Sequence, residues 1–223
     1  MNFDSFVLAA ATADLADEPV AREQADAVEF RMDLAADPAG QLDSYDGALP
    51  IVATNRAAWE GGDASDDERR LEELAAAAER DAVGAIDVEL ESLRTGDGAR
   101  VADRARDCGT AVIASAHDFE RTPPVDELRV TLRDAVERAD VGKLATTASD
   151  PGDVLALLSV TRELSAAGET VATMAMGAAG RHSRAIAPIY GSKIGYAPVD
   201  PANATAPGQY DLASLAELIE RLS

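Results

Sequence analysis

Lysine is almost missing from this chain. Of 223 residues only Lys143 and Lys193 carry a side-chain ammonium, and arginine supplies the other 18 of the 20 positive charges. Against them stand 41 acidic residues, for a formal net charge of -21. Such a field repels nucleic acid and anionic membrane surfaces, so neither is an expected partner. Cysteine is scarcer still. The single Cys108 allows no internal disulfide and no cysteine-built metal cluster. Its setting, Arg106-Asp107-Cys108-Gly109, reads as the end of a helix, and the thiol is expected to be buried and structural. Aromatic residues make up 4%, so the core has to come from Ala, Val, Leu and Ile. No apolar run approaches the roughly 20 residues that span a bilayer. Met1-Asn2-Phe3-Asp4 has no basic stretch leading into an apolar one. A soluble, cytoplasmic protein is expected.

The acid is spread along the chain, much of it in helix-like segments such as Asp66-Asp67-Glu68 and Glu72-Glu73, as on a solvated outer face. An acidic surface depleted of lysine resembles proteins of salt-rich cytoplasms, where screening relieves self-repulsion, and it predicts a halophilic source.

Eight β-rich runs punctuate the sequence: Phe6 to Thr12, Ala27 to Leu34, Pro50 to Arg56, Ala85 to Leu90, Ala111 to His117, Val141 to Thr147, Thr170 to Met176 and Ile189 to Tyr196. They are nearly continuous in apolar character, as expected of parallel strands covered on both faces. Amphipathic segments lie between them, among them Asp66 to Asp81, Pro124 to Ala139 and Pro151 to Ala167. The last has Ser149 or Asp150 as a cap, Pro151 in its first turn and Gly168 as a stop. Eight alternations suit a closed barrel or an open doubly wound sheet. No Gly-x-Gly-x-x-Gly follows the first run and no Walker-type loop occurs, so a single-domain α/β (β/α)8 TIM barrel over residues 1–223 is predicted.

A barrel keeps its chemistry at the C-terminal ends of its strands. There this sequence is unusually polar. Strand two ends Glu29-Phe30-Arg31-Met32-Asp33, and strand three ends Thr54-Asn55-Arg56 and runs toward Glu60-Gly61-Gly62. Strand four carries Asp87 and Glu89, strand five Ser115, His117 and Asp118, and strand six Lys143; strand seven leads through Met174 and Met176 to Ser183-Arg184. Charges inside apolar strands are costly unless they meet each other or a ligand, and six strands of them describe a site. Lys143 reads either as a snorkelling strand-edge lysine or as a desolvated amine able to attack a carbonyl. His117, one strand earlier, belongs beside it. His182 sits in a Gly-rich stretch and reads as a solvent-exposed loop residue, with a fallback role as base. No His-x-His or His-Glu-x-x-His spacing occurs, and a nearby lysine would repel a cation, so no metal is expected; no cofactor of another kind is expected either. Ala204 to Gln209 reads either as an ordinary Pro-Gly turn or as a lid presenting Thr205 and Gln209.

In their order and spacing these residues resemble the type I 3-dehydroquinate dehydratases. The resemblance runs from Glu29 to Gln209 and rests on Glu29-x-Arg31-x-Asp33, Arg56 with Glu60-Gly61-Gly62, and Asp87-x-Glu89. It continues through Ser115-x-His117-Asp118-Phe119, Lys143, Met174-x-Met176-Gly177, Ser183-Arg184 and Ala206-Pro207-Gly208-Gln209. It implies that Lys143 forms a Schiff base with the C3 ketone of 3-dehydroquinate and that His117 is the general acid and base of a syn elimination. That would place the protein in the shikimate pathway, toward chorismate and the aromatic amino acids. Glu60, with support from Asp87, would orient His117, and Arg184 would fork onto the substrate carboxylate. Glu29, Arg31, Arg56, Thr205 and Gln209 would hold the ring hydroxyls and the lid, beside a wall of Met174, Met176 and Tyr196. Thr205 stands where the family more often has serine, and Tyr196 near a position often held by phenylalanine. At the end of strand one, Ala9-Ala10-Ala11-Thr12 offers no match to the family's serine. The resemblance admits a homodimer, since family members commonly associate, although no apolar helix face demands one.

Two other readings stay open from the residues. A class I aldolase would use the same iminium with a phosphate cradle near Gly177 and Gly180. A non-catalytic barrel that only binds a related acid would be expected to lack Lys143 or His117, and both are present.

Overall fold

The computed structural model describes residues 1–204 and 206–222. Eight parallel strands form one sheet: β1 Val7–Thr12, β2 Ala27–Arg31, β3 Ile51–Thr54, β4 Val83–Glu89, β5 Ala111–Asp118, β6 Val141–Thr147, β7 Val171–Met176 and β8 Ile194–Pro198. Their order is β7-β6-β5-β4-β3-β2-β1-β8. The Lys193 N–H, just ahead of β8, donates to the Val171 carbonyl of β7 at 2.8 Å, bringing the two sheet edges together. The result is a nearly closed (β/α)8 barrel.

Helices Pro38–Ser44, Asp67–Ala77, Asp97–Asp107, Val125–Arg138, Pro151–Ala166 and Leu212–Leu222 cover much of the outside. Each lays a small-aliphatic face on the strands, such as Leu128, Leu132 and Ala135 or Val154, Leu157, Leu158 and Leu164. The Asp150 side chain caps the Pro151 helix by accepting from the Gly152 and Asp153 amides. The β1–β2 connection is thinner, with only a 3-10 turn at Leu15–Asp17 and one helical turn at Glu18–Ala21.

Four strand expectations shift by two residues or more at one end, the third because it stops at Thr54, short of Arg56. The second strand stops at Arg31 because Met32–Leu34 coil into a 3-10 turn. The fourth opens earlier, at Val83, and closes at Glu89, where Leu90 begins a helix. The eighth starts at Ile194, because Ala187–Tyr190 form a 3-10 turn closed by Gly191 at φ 101°. Cys108 is exposed rather than buried. It ends its helix as expected, but left-handed Gly109 then turns the chain so that Thr110 takes the buried place, donating its hydroxyl to Ala78 O at 2.8 Å. His182 is exposed, between the short helices Gly177–Gly180 and Ser183–Ile186 rather than in an open loop.

The strand register sets the depth of every interior side chain. Tyr196 pairs with Ala9 and Ala9 with Ala27; Glu29 pairs with Val52, Asp87 with Ile113 and Lys143 with Ala172. Each interior residue thus faces one layer lower on the next strand, the slip that closes a barrel of tilted strands. The layers alternate between odd and even strands. Two lower layers are apolar: Ala27, Ala85, Val141 and Ile194, then Ala9, Val52, Ile113 and Ala172. Directly above come Glu29, Asp87, Lys143 and Tyr196, all buried. The floor of the site is therefore one barrel layer.

Candidate active site

A cavity with about 530 Å³ of empty space opens above that layer. Glu29, Arg31, Thr54, Arg56, Glu60, His117, Lys143, Met174, Met176, Arg184, Tyr196 and Gln209 all line it, so nearly every residue singled out from sequence meets there. Thr205 lies outside the described residues. Asp87 lies beneath the lining, fully buried.

Lys143 is 4% exposed, and its Nζ donates to Asp87 Oδ2 at 2.8 Å. It also lies 4.2 Å from the centroid of the Tyr196 ring, within cation–π range. The amine is thus ion-paired rather than merely desolvated, and has to give up a proton before it can attack. Asp87 also accepts from Arg56 Nη2 at 2.7 Å and from the Ser115 hydroxyl at 2.6 Å. Burial alone would push this carboxyl up, but Arg56 and Lys143 overcome it and hold Asp87 far below the ordinary carboxylate range. From sequence Asp87 is expected to help orient His117; its hydrogen bonds instead hold Lys143 and Arg56.

His117 is not level with Lys143. Ser115 pairs with Lys143 in the β5–β6 register, and His117 pairs with Ala145, two residues nearer the mouth. The imidazole therefore overhangs the amine. Its Nδ1 lies 2.7 Å from Glu60 Oε1, and the Phe119 ring stacks against it with centroids 5.8 Å apart. Burial and the cations Arg56 and Lys143 keep His117 well below the usual histidine range, as a neutral imidazole. Burial also lifts Glu60, to about 8, only partly opposed by Arg56.

Glu60 reaches its histidine through a turn that needs glycine. Gly61 has φ 80°, and a Cβ there would meet Phe119 Cζ at 2.5 Å; a Cβ on Gly62 would meet Arg56 O at 2.1 Å. This explains Glu-Gly-Gly as a unit. Behind it stands a buried network that the sequence did not reveal. Glu89 Oε1 accepts from the Ala57 amide at 2.9 Å and lies 3.2 Å from Arg56 Nη1, while Glu89 Oε2 accepts from Arg70 Nη1 at 2.7 Å. Arg70 also donates to Ser92 Oγ at 2.9 Å and to Asp67 at 2.7 Å. The one sequence signal for Arg70 is its place on the face of Asp67–Ala77 that buries Leu71 and Leu74.

Opposite the histidine, Arg184 is 4% exposed, and its Nε is buried with no hydrogen-bond partner. Burial lowers this guanidinium to about 10, a direction that an incoming carboxylate would reverse. Its Nη2 reaches Pro207 O at 3.5 Å, and Pro207 O also accepts from the Gly177 amide at 3.1 Å, so the end of β7 meets the segment after β8. Gln209 Oε1 accepts from the Ala206 amide at 3.1 Å. Arg31 forks onto Asp33 at 2.9 and 2.6 Å, and Glu29 accepts from the Thr54 hydroxyl at 3.3 Å. No described helix is long and apolar enough to cross a membrane.

The profile of type I 3-dehydroquinase matches residues 7–222. The chain is 59% identical over 225 residues to 3-dehydroquinate dehydratase of Haloarcula marismortui, with 100% of this chain and 98% of the relative covered. It is 53% identical over 225 residues to 3-dehydroquinate dehydratase of Halobacterium salinarum, with 100% of both covered. The lysine-poor, acidic composition thus has haloarchaeal company. The crystal structure of 3-dehydroquinate dehydratase from Geobacillus kaustophilus HTA426 matches with a TM-score of 0.87 at 26% identity, covering 98% of this chain and 91% of that one. This chain belongs to the type I 3-dehydroquinase family.

Proposed function

We propose that residues 1–223 form one catalytic unit, a hydro-lyase that converts 3-dehydroquinate to 3-dehydroshikimate through a Schiff base on Lys143. The observation that carries this reading is a buried lysine ion-paired to Asp87 at 2.8 Å, under a histidine that touches a carboxylate at 2.7 Å. Once Lys143 has shed its proton, the Nζ lone pair bonds to C3 and the carbonyl π pair moves to oxygen. The oxygen takes the proton that nitrogen loses; the proton that Lys143 first shed, carried by His117, then leaves with the carbinolamine hydroxyl as water, and a protonated imine remains. The imine is an electron sink, so neutral His117 removes a C2 proton; the C1 hydroxyl then leaves as water with a proton returned by His117. Hydrolysis of the imine releases product and restores the amine.

In this scheme Glu60 orients His117 through Nδ1, and Asp87 positions Lys143. Arg184 takes the substrate carboxylate as a bidentate fork. Glu29, Arg31, Arg56, Thr205 and Gln209 bind the ring hydroxyls and the closing segment, against Met174, Met176 and Tyr196. The pocket's arginines give an anionic substrate a seat inside an acidic protein.

Borohydride reduction in the presence of 3-dehydroquinate, read by intact mass and peptide mapping, tests the reading. A single adduct on Lys143 is expected, with enone absorbance growing during turnover. In Lys143→Ala the adduct should vanish and kcat fall by roughly 10⁴-fold or more. Full activity in that variant would overturn the mechanism.

A further inference from the structure

One polar atom in the pocket has no role in this scheme. The Tyr196 hydroxyl is buried and has no hydrogen-bond partner, although the residue is only 4% exposed and lines the cavity. A buried hydroxyl that meets neither protein nor ligand costs free energy, and such orphans call for an explanation. A hydrophobic wall does not supply one, because phenylalanine would make the same wall without the orphan.

We propose that the Tyr196 hydroxyl donates a hydrogen bond to the ketone oxygen that Lys143 attacks, which makes Tyr196 a catalytic residue of imine formation. This rests on the Schiff-base reading and adds to it the group that receives the oxygen.

The placement follows from the barrel layer. Glu29, Asp87, Lys143 and Tyr196 share one level, with β6 and β8 separated only by β7. The Lys143 Nζ is held between Asp87, at 2.8 Å, and the Tyr196 ring, whose centroid is 4.2 Å away. The approach left to a ketone carbon is from the cavity above. A carbon bonded to Nζ from there carries its oxygen over the same ring that bears the hydroxyl. Among the other donors of the site, Arg56 is engaged with Ser115 and Asp87, Arg31 with Asp33, and His117 Nδ1 with Glu60, while the unpartnered Arg184 Nε is assigned to the substrate carboxylate. Burial and the neighbouring Asp87 and Glu29 charges push the phenol well above its ordinary range, so it stays a neutral donor. It keeps its own proton throughout. As the C–N bond forms and the π pair moves to oxygen, the hydrogen bond strengthens on the developing charge, and the proton lost by nitrogen completes the carbinolamine. The hydroxyl assists a step whose nucleophile is Lys143, so its removal should slow that step without abolishing it.

Tyr196→Phe separates the two roles because it keeps the ring. Wild type and variant are mixed rapidly with 3-dehydroquinate, quenched with borohydride at successive times and read by intact mass, alongside kcat/KM and thermal midpoint. Adduct formation and kcat/KM should fall about tenfold or more, while the midpoint stays level or rises because an unpaired buried hydroxyl is gone. Wild-type adduct kinetics in the variant would overturn the proposal and leave the Schiff-base reading standing. So would normal adduct formation followed by slowed elimination, which would put the hydroxyl on a later step. Absence of any adduct in wild type would overturn the Schiff-base reading and this inference together.

Discussion

Arginine meets carboxylate in two settings in this protein. On the outer helices Arg129 forks onto Glu163 at 2.8 and 2.9 Å, and Arg94 reaches Asp134 at 2.6 Å. Inside the barrel mouth Arg56 holds Asp87 and Arg70 holds Glu89, both at 2.7 Å. The distances are alike and the surroundings are not. Side-chain exposure is 26% and 41% for the Arg129–Glu163 partners but 2% and 1% for Arg70 and Glu89. Water and salt screen the outer pairs, which offset one another's charge and contribute little apiece. The inner pairs have given up hydration, so each partner is the other's main solvation. Separation alone therefore says little about what a pair does.

The largest contrast should come from breaking an inner pair. Arg70→Ala leaves Glu89 buried without its guanidinium, and urea unfolding is expected to show a loss of about 3–5 kcal/mol. A loss below about 1 kcal/mol would erase the distinction between the two settings.

The next effect is on pH. With Glu60 raised to about 8 and His117 held neutral, the free pair at pH 7 carries its proton on the carboxyl side. Glu60 then donates to Nδ1 and leaves hydrogen on Nε2, the wrong tautomer for a base. The competent form, with Nδ1–H and a bare Nε2, grows as the pair loses that proton, so activity rises with pH. The two groups titrate as one unit. A plot of kcat/KM should climb about tenfold per unit below pH 8 and level off above it. In Glu60→Gln the plateau should drop by about 10–100-fold and this limb should disappear. The same limb surviving in that variant would assign the titration to another group.

The smallest effects belong to the surface. Arg100→Ala removes a pair to Asp97 whose side chains are 77% and 64% exposed, and its thermal midpoint should match wild type. The whole acidic surface should respond together, with the midpoint rising from low to molar salt as repulsion is screened. A flat salt response would separate the composition from any adaptation to salt.

Residues that are chemically odd in their local setting are legible in the sequence. Lys143 stands out because Val141-Gly142-Lys143-Leu144-Ala145 is otherwise apolar, and the strand's limits, Val141–Thr147, match those read from the sequence. His117, Glu60 and Arg184 were reached by their order on successive strands, which a barrel turns into proximity. Arg70 is obscured for the opposite reason. Glu68, Arg69, Glu72 and Glu73 around it look like a solvated helix face, and only the third dimension brings Glu89 and Ser92 to it. Asp87 is legible as a site residue while its hydrogen-bond partners Lys143 and Arg56 are not, because a strand position fixes which way a side chain points and not which of several charges it meets. Cys108 was misjudged because one left-handed glycine decides which residue after a helix turns inward.

The scarcity of lysine has a further chemical meaning. Ketones and aldehydes condense with any accessible uncharged amine, and slow adduct formation of that kind gradually damages proteins exposed to reactive metabolites. Here the only side-chain amine besides Lys143 is that of Lys193, whose Nζ donates to Asp4 O at 2.5 Å. Arginine carries nearly all the remaining positive charge and is a far poorer nucleophile because it stays protonated. A surface shaped by charge thus also leaves a carbonyl substrate very few wrong places to react.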